Sequence, residues 1–205
     1  MSLLHVERST AATGAALLAA SAAAWVALVV WEQPMGIVPF LVGWTLMMAA
    51  MMLPSILPLA ALYRGGDVRL AAGYVAIWGA VGLVPWELME HGVSPSVPLV
   101  LGLAGAYELT PLKHACLGRC RHPAGFLLRH HGSGPFRLGV EHGLWCIGCC
   151  AGLMAVLVLA ASMSLGWAAV IAAIVLAQKV LPLAETSVRV TGLALIFVAA
   201  TAAVT

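Results

Sequence analysis

Glu141-His142-Gly143-Leu144-Trp145-Cys146-Ile147-Gly148-Cys149-Cys150 opens an apolar run that continues to about residue 163. A run of that length is a candidate spanning helix, since a bilayer needs roughly 20 apolar residues. Wound at about 100° per residue, it puts His142, Cys146 and Cys149 on one face, with Cys150 at the edge. An imidazole and thiols at i, i+4 and i+7 form a surface suited to a soft metal. Chemistry-bearing side chains inside an apolar helix predict that the remaining chain is a scaffold built around them.

The rest of the chain agrees with such a scaffold. Of its 205 residues, 62% are hydrophobic and only 9% charged, against about 25% charged in soluble domains. The mean hydropathy is +1.02. Apolar segments fall at roughly residues 11–31, 37–62, 69–86, 94–112, 138–163, 165–181 and 187–204. They predict an all-α, polytopic transmembrane bundle of about seven helices. Ser164-Leu165-Gly166 is a very tight turn, so the alternative is that segments five and six form one hairpin that does not fully cross, giving six. The first segment exceeds a usual signal-peptide core, so it is read as a retained helix. A single membrane domain, 1–205, is expected.

Charge sets the expected orientation. All ten Lys and Arg residues fall at alternate connections: Arg8, then Arg64 and Arg69, then Lys113, Arg119, Arg121, Arg129 and Arg137, then Lys179 and Arg189. The opposite connections carry Glu32, Glu87 and Glu90. Positive residues face the cytoplasm, which puts the N-terminus and a Cys/His/Arg loop at 113–137 inside the cell. Cytosolic thiols stay reduced, so a disulfide framework is disfavoured and metal or redox chemistry gains weight. The expected site is a membrane facing the cytoplasm, with the lipid bilayer as partner. No patch resembles a nucleic-acid surface. The piece Phe126-Leu127-Leu128-Arg129-His130-His131 is expected to lie as an amphipathic segment on anionic headgroups, with His130 and His131 as solvated interface residues rather than ligands.

Three constellations carry chemistry. His114, Cys116, Cys120 and His122 have their two cysteines one helical turn apart, beside Lys113, Arg119 and Arg121. Those cations are expected to lower the thiol pKa values and favour the metal-binding thiolate. His142, Cys146, Cys149 and Cys150 form the second set. Met47, Met48, Met51 and Met52 form the third, just before Pro54 and Pro58; a methionine stripe there is also ordinary adaptable packing. By helical rise, Met52 and Cys149 sit at similar depths, so thioethers and thiols are expected near one level. That ligand set favours Cu(I), whereas zinc would prefer the Cys/His loop; iron is a further option. Glu108, a carboxylate inside an apolar segment, is either functional or paired with Lys113 or a tyrosine. Glu141 is a possible support for His142. No phosphate-binding loop, serine triad or HExxH occurs, so enzymatic hydrolysis is not expected.

The runs Trp44…Met47…Ala50-Met51-Met52-Leu53-Pro54-Ser55, Thr110-Pro111-Leu112-Lys113…Cys116-Leu117…Cys120-Arg121 and His142-Gly143-Leu144-Trp145-Cys146-Ile147-Gly148-Cys149-Cys150 resemble a bacterial family described as predicted metal-binding integral membrane proteins of unknown function. The resemblance covers about residues 37 to 182 and implies metal binding in a membrane. It leads one to expect glutamine at position 108, where this chain has Glu108.

The favoured function is a membrane metal-binding protein that stores, delivers or translocates Cu(I), exchanging it with a metal-donating or metal-accepting protein. One alternative is a membrane thiol-disulfide oxidoreductase using Cys116/Cys120 and Cys149/Cys150; the strain of a vicinal disulfide counts against it. The other is a structural membrane subunit whose cysteines pack against partner helices.

Overall fold

The computed structural model describes residues 3–30, 36–63, 67–130, 132–160 and 163–204, with side chains from residue 10 onward. Glu32, Arg64 and His131, used in the charge and interface readings, lie outside the described residues, as does the Arg8 side chain.

Among the described residues the fold is all helical, with no strand. Its helices are α1 (Leu3–Val30), α2 (Ile37–Met52), α3 (Leu57–Leu62), α4 (Val68–Val81), α5 (Leu83–Glu90) and α6 (Val97–Glu108). They continue as α7 (Pro111–Arg121), α8 (Pro123–Arg129), α9 (Pro135–Ala155), α10 (Leu165–Val180) and α11 (Ala184–Ala202). A 3₁₀ turn, Leu53–Ile56, joins α2 to α3, because Pro54 and Pro58 lack the N–H groups that would continue the α ladder. A π turn, Val156–Ala160, extends α9.

Each apolar segment has a helical counterpart, but the count of seven membrane-length helices needs correction. Among the described residues, five stretches are long and apolar enough to cross a membrane: Thr10–Val30, Ile37–Leu62, Val68–Glu90, Pro135–Ala160 and Ala184–Ala202. The fourth and sixth segments are shorter helices, α6 and α10. Their 12 and 16 residues rise about 18 and 24 Å, short of a hydrocarbon core of about 30 Å. Pro111 and Ser164 set these limits. Pro111 opens α7 where its missing N–H costs nothing. Ser164 caps α10 by accepting from Trp167 N at 3.4 Å. The stretch 113–137 also differs from an irregular loop: α7 and α8 occupy most of it.

Two compact units divide the chain: Met1–Trp86 with His122–Leu144, and Glu87–Arg121 with Trp145–Thr205. In the first, Ser21 donates to the Ala50 carbonyl at 2.6 Å and Trp44 to the Trp78 carbonyl at 2.8 Å. Gly139 and Gly143 of α9 sit against Leu70 and Ile77 of α4, where a Cβ would collide with the Leu70 carbonyl or the Ile77 methyl. The helices approach there because no side chain intervenes.

In the second unit, α6 and α11 cross at two glycines; a Cβ on Gly105 would lie 2.7 Å from the Gly192 carbonyl oxygen. Beside this crossing is a closed polar triad. Lys113 Nζ donates to Glu108 Oε1 at 2.7 Å and to Gln178 Oε1 at 2.9 Å, and Gln178 Nε2 donates to Glu108 Oε2 at 3.0 Å. All three side chains are buried. Glu108 is therefore paired with Lys113, and Gln178 completes the ring. Lys113 and Lys179, counted above as connection cations, are instead buried within helices.

Candidate metal centre

The second unit's part of α9 carries Cys146, Cys149 and Cys150, each at most 1% exposed. Their helical spacing gathers the sulfurs at one point. Cys149 and Cys150 Sγ are 3.5 Å apart, Cys146 and Cys150 Sγ are 4.0 Å apart, and all three lie within 4.8 Å of one another. From α7, Cys120 Sγ comes to 3.8 Å from Cys149 Sγ. The two cysteine constellations, separate in the sequence, thus meet as one buried thiol cluster. Cys116, one turn earlier on α7, is also buried. Its Sγ occupies the place a Cβ on Gly148 would need, 2.7 Å away. The glycine between Cys146 and Cys149 is what lets α7 approach. Tyr107 anchors the same spot by donating its hydroxyl to the Gly148 carbonyl at 2.5 Å.

Around the sulfurs, three cationic side chains hold distinct positions. Lys179 Nζ donates to Cys146 Sγ at 2.8 Å. Arg121 donates to the carbonyls of Gln178 and Leu181 at 2.7 and 2.8 Å, fixing the end of α10 to α7. Arg119 lies 3.6 Å from the centroid of the Trp145 ring. For Cys116 the expectation of a lowered pKa is corrected: burial pushes the thiol up, and Arg119 and Lys113 offset only part of it.

The donor set passes a simple test of fit. A metal–thiolate bond of about 2.3 Å, the length zinc shows, puts the sulfurs about 4 Å apart in a trigonal site and slightly closer in a tetrahedral one. The separations of 3.5, 3.8 and 4.0 Å bracket both. All five cysteines are free thiols.

A family model, PpoB2, described as copper chaperone, matches residues 41–202. The chain belongs to this copper chaperone family. No curated protein and no solved structure matches it. The buried Cys146, Cys149 and Cys150 cluster fits copper binding in a member of such a family. The matched region takes in all five cysteines and both buried lysines of this copper chaperone family member.

His142 belongs to the first unit, where its ring lies 6.0 Å from that of Tyr74 and 5.2 Å, edge-on, from that of Phe126. Met47, Met48, Met51 and Met52 are buried in the same unit. His114 is half-buried on α7, and His122 is exposed before α8. His130 is not a freely solvated residue: it is half-buried, with its ring against Phe126 and Nε2 3.2 Å from Glu141. Glu141 also accepts from Arg137 at 2.8 Å. Sequence reasoning missed Lys179 as part of the thiol site. Its signal was present, a lysine beside Gln178 in the last turn of an apolar helix.

Proposed function

We propose that this chain is an integral membrane copper chaperone of a bacterial cytoplasmic membrane. It holds Cu(I) through Cys146, Cys149 and Cys150, takes Cys120 as a further sulfur, and passes the ion to a metal-accepting protein. The observation that carries this reading is the packing of the three α9 sulfurs within 4.8 Å, with Cys120 at 3.8 Å from Cys149. Soft thiolates suit Cu(I) above harder cations. Five apolar helices of membrane length support the location. A crowded set of sulfurs also suits a carrier, since an incoming thiolate replaces one protein sulfur at a time without a naked ion forming. His142, His114, His122, Cys116 and the methionines Met48, Met51 and Met52 join the proposal as further donors on the ion's route.

The test is elemental analysis of protein purified reduced in detergent and loaded anaerobically with Cu(I), beside a Cys146→Ser/Cys149→Ser variant. Near-stoichiometric copper in the native chain, lost in the variant, is expected. Absence of copper from both sinks the reading, and thiol exchange by Cys149/Cys150 then becomes the activity to assay.

A further inference from the structure

Lys179 is the feature of this site that the copper reading leaves unused. Its ammonium nitrogen is 2.8 Å from Cys146 Sγ, and the side chain is 8% exposed. The other buried lysine of the unit, Lys113, spends its charge on Glu108 at 2.7 Å. Lys179 is aimed at a sulfur, and its position is held from both sides. Gln178 is tied to Glu108 and Lys113, while Arg121 grips the carbonyls of Gln178 and Leu181.

We propose that Lys179 is a built-in counter-ion that shifts the selectivity of the thiol cluster away from a divalent and toward a monovalent soft cation. The inference rests on the copper reading and adds the basis of its selectivity. A monovalent ion among three thiolates leaves two negative charges; a divalent ion leaves one. The adjacent ammonium brings these totals to one and zero. The cost of burying a net charge grows with its square. Removing the ammonium therefore penalises the monovalent centre, going from one charge to two, about three times as much as the divalent centre, going from zero to one. Cys120 as a fourth thiolate changes the totals but not the order. A neutral residue at position 179 would shift the pocket toward zinc.

Competition titrations with chromophoric Cu(I) and Zn(II) chelators, run anaerobically on the detergent-purified full chain, test this. The native protein is compared with Lys179→Gln, Lys179→Met and Lys179→Arg, and the ratio is read on whichever neutral variant keeps native helicity. The neutral variants are expected to lose on the order of 10- to 100-fold in Cu(I) affinity, as supporting residues of metal ligands do, with a smaller loss for Zn(II). Lys179→Arg is expected to restore the ratio. A native protein that binds Cu(I), with the same Cu(I)-to-Zn(II) ratio in the neutral variants, overturns the counter-ion role and leaves the copper reading intact. A native protein that binds no Cu(I) overturns both.

Discussion

Lys113 carries a positive charge on a side chain with no exposed surface, as does its partner Glu108 a negative one. Breaking such a pair leaves one buried charge uncompensated, which costs more than removing both. Glu108→Leu is therefore expected to destabilise the protein by about 3–5 kcal/mol, with only part of the loss recovered in Glu108→Leu/Lys113→Met, which leaves the buried Gln178 amide without those two partners. Denaturant unfolding in detergent, followed by circular dichroism, reads both; equal losses in single and double variants would contradict it. Cys116 gives a pH prediction. Burial holds its thiol above the ordinary value of 9.0, so the folded state favours the protonated form. The stability this contributes is full below that ordinary value and is lost as pH rises through the raised one. Alkylation of Cys116, read by mass spectrometry, should lag a free thiol at neutral pH and keep accelerating above the pH where the free thiol levels off. At this scale the cysteine cluster was legible in the sequence, since three cysteines in five residues stand out in an apolar helix. Lys179 was not, because composition cannot tell a lysine that snorkels to water from one turned inward onto a sulfur.

Helix α6 meets α11 through glycine, and that contact makes a sharp element-scale prediction. Gly105→Ala places a Cβ 2.7 Å from the Gly192 carbonyl and 2.8 Å from Ile196 Cγ1, so the helices must part. The expected cost is about 1–3 kcal/mol, as for other overpacked contacts. Gly125→Ala in α8 meets nothing within 4 Å and should be neutral or stabilising by about 0.5–1 kcal/mol. Thermal unfolding of the two variants side by side checks the contrast, and a Gly105→Ala as stable as the native chain would refute it. The apolar runs that become α6, α10 and α11 were readable in the sequence. The lengths of α6 and α10 were not, because hydropathy sees apolar residues on both sides of a break. The break itself depends on where Pro111 and Ser164 fall relative to the last helical hydrogen bond.

At the scale of the molecule, the apolar character of the chain was legible from composition alone, because 9% charged residues is far below the about 25% typical of soluble domains. Membrane integration makes its own prediction: the full chain should stay in the membrane fraction after an alkaline carbonate wash and leave it only with detergent. Release by carbonate would count against spanning. What composition could not reveal is which distant residues meet, since Cys120 and Cys149 come together across 29 positions through α7 folding against α9. The closed ring of Glu108, Lys113 and Gln178 carries that long-range dependence furthest. Glu108 and Gln178 are 70 residues apart. At a synthesis rate of about 5–20 residues per second, a nascent chain spends roughly 4–14 seconds with Glu108 already made and Gln178 not yet translated. During that interval the Glu108–Lys113 pair is already made, but one acceptor for the ammonium and one donor to the carboxylate wait on a helix still to be synthesised.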